Sequence, residues 1–441
     1  MHSCDLNVSI NKLSKIEGHA DLDIEIRDGK VGKVDLRVVE NKRFYEQEVK
    51  GKPAMAVPQL VSHICGTCSI AHLTACTEAV EKTLGVQISP QTLILRKLTM
   101  YSLMIRDHAL HLYFFVAPDL FGVDSALDLA ESQKELVHDA LHIKEAGNNL
   151  STLIAGRSVH AMFEQVGGFA KIPDETKIPA MIEELKSIRA AVIRLCDIFL
   201  NCDWVLKRKT NFVAIATKDF SYLEGVIKTS AGEVINEENY WDHLHSVVIP
   251  YSQAAAFEFE GKEYMVGALA RLNLNKEALH ADTKRDLAKH LAVFPSDNIY
   301  HNNLAQAIEI LHSIDHSIEL LSTTKFKKEE LAKPARMTGE GVGVIEAPRG
   351  TLYYWLGIDE GKVRYANLVI PTAQNLINMR SDVREAVVEI CADPSASSGQ
   401  AAAEQGQKLW EEKIKKEVEK IIRAYDPCMS CASHFLRINW V

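Results

Sequence analysis

A chain of 441 residues, 47% of them hydrophobic, has ample material for a large core, and length alone sets an expectation of about three domains. The net charge of −9 excludes a basic footprint for nucleic acid and a polybasic patch for a membrane surface. No apolar run reaches the roughly 18 residues of a transmembrane segment, Met1-His2-Ser3-Cys4-Asp5 does not read as a signal peptide, and the nine cysteines form no disulfide framework, so a reducing cytoplasm is expected.

In chain order, residues 20–39 read as a β-hairpin. Leu22, Ile24 and Ile26 alternate, Asp28-Gly29 turns, and Val34, Leu36 and Val38 alternate again. From Pro58 to Tyr240 the pattern is mostly helical. Within it, the run Met100–Phe115 holds His108 and His111 and ends at Ala117-Pro118-Asp119, and residues 125–154 and 174–208 are amphipathic. Gly156-Arg157-Ser158-Val159-His160 and Gly167-Gly168 form the loop between those two. A second hairpin is predicted at 255–267 around Glu260-Gly261-Lys262, helix over 276–333, and strand over 344–371 around Asp359-Glu360-Gly361-Lys362. Ser395–Gln407 is rich in Ala, Ser, Gly and Gln and reads as an exposed loop or insertion. Leu409–Ala424 is a charged helix leading to the C-terminal motif, and no internal repeat stands out.

Two stretches carry the chemistry. His63-Ile64-Cys65-Gly66-Thr67-Cys68…His72 and Asp426-Pro427-Cys428-Met429-Ser430-Cys431…His434 each place two thiols three residues apart with an imidazole downstream, which is metal-ligand spacing. Gly66 is read as giving the backbone room to turn, and Pro427 as ending the preceding helix. The simplest reading is a structural four-cysteine zinc site. However, Cys68 and Cys428 lie about 360 positions apart, whereas zinc ribbons separate their pairs by roughly 15–20 residues. Closing that loop costs on the order of 5 kcal/mol in chain entropy. A protein packed well enough to close it has little need of a staple, so a functional metal site is expected. The two pairs must meet, so the chain is read as one domain. Its parts are a hairpin region (1–45), a helical region (46–240), a mixed region (241–380), the C-terminal helix and metal motif (381–434), and a tail (435–441).

These two motifs, taken with five others in order, resemble the large, catalytic subunit of nickel–iron hydrogenases. Ile16-Glu17-Gly18-His19, Arg43-Phe44-Tyr45-Glu46, Gly156-Arg157…His160…Gly167-Gly168, Glu346-Ala347-Pro348-Arg349-Gly350 and Val369-Ile370-Pro371-Thr372-Ala373-Gln374-Asn375 all have counterparts in that family. The resemblance spans residues 16 to 434. It departs at His63, where the family usually has Arg, at Ala161 and Ala373-Gln374, and at Tyr353 and Tyr354, where a His is often seen. The related respiratory complex I subunit lacks the nickel thiolates, all four of which are kept here.

The resemblance implies a mainly helical α+β fold, with long helices around a buried metal site and small β subdomains. It implies reversible, heterolytic cleavage of H2. Cys65, Cys68, Cys428 and Cys431 would hold nickel, and Cys68 and Cys431 would bridge to an iron carrying carbon monoxide and two cyanides. Arg349 would sit over the metals, polarising hydrogen or accepting its proton, in a charged canopy with Pro348, Asp119 and Asp426. Glu17 would relay the proton, Thr372 would donate to a cyanide, and His72 would hydrogen-bond near Cys68. Glu46, His434 and the carbonyl of Leu368 would hold magnesium. The implied partners are a small iron–sulfur subunit, further flavin or iron–sulfur subunits reaching a soluble acceptor, and an endopeptidase that removes the tail after His434. Two other readings remain open from sequence: a hydrogen sensor with the same site, and a zinc-stapled structural subunit of an electron-transfer complex.

Overall fold

A computed structural model describes residues 5–41, 43–392 and 403–433. The predicted N-terminal hairpin is present with a third strand added. β1 (Leu6–Ile10), β2 (Ala20–Arg27) and β3 (Lys30–Val38) form an antiparallel meander in which Leu22 faces Leu36 and Ile24 faces Val34. Asp28 and Gly29 both have positive φ, 51° and 70°, as the tight hairpin turn requires.

Four long helices follow: α1 (Ser69–Leu84), α2 (Pro90–Leu110), α3 (Lys134–Ala155) and α4 (Ile178–Leu200). Ser89 caps α2 by accepting from the Thr92 backbone N–H. Beyond α2 the chain continues as a π-helical segment over His111–Val116, an irregularity often found at functional sites. α2 and α3 approach closely because Gly147 lacks a Cβ, which would stand 2.9 Å from the Arg106 backbone nitrogen.

The next stretch departs from the prediction. Residues 211–235, read as helical, contain β4 (Asn211–Ala216), β5 (Val226–Thr229) and β6 (Val234–Ile235). Then come β7 (Leu244–Val247), β8 (Ala256–Phe259) and β9 (Tyr264–Met265). The chain does turn at Glu260-Gly261, but β8 pairs with β7, and β9 joins β4 in parallel. The predicted hairpin is thus split between two sheets.

The predicted helix over 276–333 reduces to three short helical segments (Lys276–Ala278, Ala281–Asp286 and Ala288–Leu291) and one long helix. α5 (Ala268–Asn275) precedes it, α6 (His301–Thr323) packs on α2, α4 and α5, and residues 324–333 are irregular. The predicted strand region becomes a meander of β10 (Gly339–Ala347), β11 (Gly350–Asp359) and β12 (Lys362–Val369). α1 lies directly against β10, where a Cβ on Gly343 would stand 2.2 Å from the Ala75 carbonyl oxygen. α7 (Pro371–Ala392) and α8 (Ala403–Ala424) complete the fold. Of the predicted loop at 395–407, residues 395–402 lie outside the described residues, and α8 begins at Ala403. Buried apolar side chains from Leu6 to Ala432 form one cluster. Among the described residues no helix is long and apolar enough to cross a membrane.

Candidate metal centre

The two ends of the chain are brought together by backbone hydrogen bonds. The Met429 N–H donates to the Glu17 carbonyl at 2.9 Å, making a parallel bridge between Glu17 and Cys428, and the Arg43 N–H donates to the Ser433 carbonyl at 3.1 Å. Gly18 permits this approach: its φ is +78°, and a Cβ would lie 2.8 Å from the Ser430 nitrogen. Gly66, by contrast, has no neighbour within 4 Å of where its Cβ would be, and its φ is not positive. The turn between Cys65 and Cys68 therefore does not depend on glycine, contrary to the sequence reading.

Cys68 stands at the start of α1, and Cys428 at the start of the turn Met429–Ala432. The Sγ atoms of Cys65, Cys68, Cys428 and Cys431 all lie within 4.8 Å of one another, and all four residues are buried. Cys428 Sγ is 3.5 Å from Cys65 Sγ and 2.8 Å from Cys431 Sγ. Hydrogen bonds from Cys428, Cys431 and Cys68 hold the Cys65 thiol far below the usual range, while burial pushes Cys428 up. Four sulfurs this close and this buried cannot all ionise without a cation to balance them. A divalent metal ion is the species that makes the set consistent. Among the described residues, this is the one group of three or more His, Cys, Asp or Glu side chains converging on a point.

A small cavity opens beside Cys68, Cys428 and Cys431. It is walled by Ala347, Leu352, Ile370 and Pro371, with Arg349, Thr372 and His72 as its polar lining. Thr372 Oγ1 accepts from the Cys428 N–H at 2.9 Å, which leaves its own proton available to donate. His72 Nε2 lies 3.6 Å from Cys431 Sγ, and its Nδ1 is 2.7 Å from the Tyr354 hydroxyl. The imidazole thus contacts Cys431, where the resemblance implied Cys68, and it is oriented by Tyr354.

Glu17 Oε2 is 2.9 Å from Cys428 Sγ, and the carboxylate also accepts from the backbone N–H and hydroxyl of Ser430. Burial, followed by the charge of Cys65, raises the Glu17 pKa, while the hydrogen bonds from Cys428 and Ser430 oppose the rise. Arg349 is fully buried. Nη1 donates to Asp107 at 2.6 Å and to Cys68 Sγ at 3.2 Å, and Nη2 donates to Asp426 at 2.9 Å. Burial alone would lower its pKa, but Asp107, Asp426 and the thiolates outweigh it and hold the guanidinium charged. Asp426 occupies the left-handed region, φ 51°, so it is a turn former and an ion-pair partner at once. Pro348 is buried, and its carbonyl accepts from Arg271 Nη2 at 3.0 Å.

One placement in the predicted canopy is corrected. Asp119 pairs with Lys15 at 2.6 Å and Arg423 at 2.5 Å, and the carboxylate beside Arg349 opposite Asp426 belongs to Asp107. The missed signal was the charged triplet Arg106-Asp107-His108 within the apolar run Met100–Phe115, since charge in a buried helix calls for a partner. Further out, Gln306 Nε2 donates to Asp426 at 3.0 Å, and the Gln306 side-chain oxygen lies 2.6 Å from His111 Nδ1.

The Leu368 N–H donates to Glu46 Oε1 at 2.9 Å, so these two predicted magnesium ligands are neighbours. His434 lies outside the described residues. His63 is exposed and stacks on His160 with ring centroids 4.3 Å apart.

Comparison with known proteins adds to this geometry. Residues 43–139 and 243–434 match the family described as nickel-dependent hydrogenase. The chain is 32% identical to sulfhydrogenase 2 subunit alpha of Pyrococcus furiosus, over 98% of this chain and 100% of that one. It is 28% identical to the NAD-reducing hydrogenase HoxS subunit beta of Cupriavidus necator, over 97% and 94% respectively. Among solved structures, it superposes on a chain of an NAD+-reducing [NiFe]-hydrogenase in the H2-reduced state with a TM-score of 0.84, 25% identity, and coverage of 98% of this chain and 100% of that one. It shares the fold of the Dm. baculatum [NiFeSe]-hydrogenase with a TM-score of 0.76 at 21% identity, over 98% and 100%.

Proposed function

Because the chain belongs to the nickel-dependent hydrogenase family, as the catalytic subunit of an enzyme that converts H2 reversibly to protons and electrons, we propose that Cys65, Cys68, Cys428 and Cys431 hold its nickel–iron centre. One observation carries this assignment: four buried thiols from opposite ends of the chain converge within 4.8 Å. Thiolates suit soft transition metals and are deprotonated by them. In this reading Cys68 and Cys431, which border the cavity together with Cys428, would also hold the iron. Bound there, the centre, with carbon monoxide and cyanide on the iron, supplies the soft Lewis acid at which H2 is split. The cavity's apolar walls suit small diatomic ligands, and the free hydroxyl proton of Thr372 suits a cyanide nitrogen.

The chain's own residues manage charge. Glu17 is the proton acceptor from Cys428 Sγ, within the reach that general acid–base catalysis needs. Its raised pKa brings it closer to neutrality, so that it both takes and releases a proton. Arg349, held charged, acts as a fixed positive group that polarises what enters the cavity, and a role as proton acceptor is not favoured for it. Asp107 and Asp426 hold its guanidinium in place, whereas Asp119 lies outside this set.

Glu46, the carbonyl of Leu368 and His434 would hold magnesium, a cation that takes few protein ligands together with waters. His434 becomes the last residue once an endopeptidase removes 435–441. Electrons leave toward a small iron–sulfur subunit, next to the exposed His63 and Gly66 that flank the buried Cys65. Further flavin or iron–sulfur subunits carry them to a soluble acceptor in the cytoplasm, a reading supported by the likeness to an NAD-reducing hydrogenase. Purified complex should contain nickel and reduce an artificial dye with H2. Dye reduction without nickel, or nickel retained in a Cys68→Ala protein, would contradict the assignment.

A further inference from the structure

Arg271 on α5 is the largest fully buried side chain among the described residues. It uses all five of its N–H donors. Nε and Nη2 donate to the two oxygens of Glu309 at 2.6 and 2.7 Å. Nη1 donates to Glu346 Oε2 at 2.8 Å and to the Ala347 carbonyl at 3.0 Å, and Nη2 also reaches the Pro348 carbonyl at 3.0 Å. Those two carbonyls immediately precede Arg349. The opposite side of the turn is closed by Gly350, φ +132°, where a Cβ would stand 2.5 Å from Val266.

The same network reaches Arg349's partner. Glu309 Oε2 lies 2.9 Å from His108 Nε2, and His108 is the neighbour of Asp107 on α2. Arg349 is therefore fixed from two directions. Its backbone turn is held by Arg271, and the helix bearing Asp107 is held through His108 and Glu309. Lysine cannot reproduce this arrangement, because an ammonium has three donors at one point and Arg271 spans five acceptors on two chain segments, Glu309 and 346–348.

We propose that Arg271, backed by Glu309, is a positioning residue for Arg349, setting where that guanidinium stands over Cys68 and the cavity. The inference rests on the reading of Arg349 given above. It is distinct from the bland alternative, in which a satisfied buried ion network serves stability alone.

A double-substitution cycle on the nickel-loaded complex separates the two. Arg349→Lys, Arg271→Lys and the double variant are compared with wild type for hydrogen/deuterium exchange, nickel content and the nickel electron paramagnetic resonance signal. Misplacing a reacting group by about 1 Å costs on the order of 10²-fold in rate, so each single variant should lose ~10- to 100-fold in exchange with nickel retained. Because Arg349 donates to Cys68 Sγ, the resonance signal should change in the same sense in both. The double variant should fall within about threefold of Arg349→Lys, since residues acting through one another are not additive. Multiplicative losses, or an Arg271→Lys protein with unchanged exchange and signal, would overturn the proposal. Should Arg349→Lys alone change nothing, the reading of Arg349 fails first and this inference with it. If Arg271→Lys does not load nickel, Glu309→Gln takes its place in the cycle. If that variant also fails to load, the network is a folding element and the proposal is refuted.

Discussion

Replacing Glu17 by Gln tests proton transfer apart from metal binding. The carboxylate makes three contacts: Oε2 with Cys428 Sγ at 2.9 Å and with the Ser430 N–H, and Oε1 with the Ser430 hydroxyl. Glutamine keeps the shape, and its side-chain oxygen still accepts from the Ser430 N–H. The structural loss is about one hydrogen bond, ~1 kcal/mol, too little to open a site held by backbone bonds between Glu17, Met429 and Cys428. The catalytic loss is larger. A positioned acid–base group contributes 10²-fold or more, equivalent to about 2.7 kcal/mol of barrier. Nickel content should therefore stay at the wild-type level while hydrogen/deuterium exchange falls by ~10²-fold. The pH dependence follows from the same residue. Burial raises the Glu17 pKa, so wild-type exchange should change with pH in a window above the ordinary carboxylate range, and the variant should be flat there. Unchanged exchange at full nickel content would remove Glu17 from the proton route.

Three further outcomes follow. Cys68→Ala should abolish nickel incorporation and turnover together, because a methyl group cannot fill a thiolate position; elemental analysis reads this directly. Gly343→Ala drives a Cβ to 2.2 Å from the Ala75 carbonyl oxygen and 2.6 Å from the Ala79 nitrogen, separating α1 from β10. It should destabilise by about 3 kcal/mol or more, read as a lowered thermal midpoint and reduced nickel loading. Glu164 is fully buried, and burial pushes its carboxyl up to about 7 against the pull of Arg96. The folded state then binds more protons than the unfolded state between the ordinary carboxylate range and about 7, so stability falls as pH rises through that window. The stability of wild type relative to Glu164→Gln should decline by on the order of 3 kcal/mol across it; a constant difference would refute this.

How much was legible in the sequence depended on how local each signal is. The four thiols were legible because each pair sits in one short stretch whose spacing is itself the metal-ligand pattern. The N-terminal hairpin was legible from strict alternation around Asp28-Gly29. Asn211–Ala216 was not, because a short apolar run is equally a strand or a piece of buried helix by periodicity. The split of residues 255–267 between two sheets was also hidden, since pairing β9 with β4 joins residues about 50 positions apart. Asp119 and Asp107 show the same limit within the site. Both are acids near the end of an apolar helical run, and which of them meets Arg349 depends on the rotation of α2 and the π-helical segment after it. Tyr354 reads in the sequence as a departure from the family pattern, and in the fold it is the group that orients His72.

The most direct test of the central claim is infrared spectroscopy of the purified complex, paired with elemental analysis of the same sample. The account predicts stretching bands of metal-bound carbon monoxide and cyanide together with stoichiometric nickel. Zinc in place of nickel, with no such bands, would contradict it and leave the four thiols of Cys65, Cys68, Cys428 and Cys431 as a structural site.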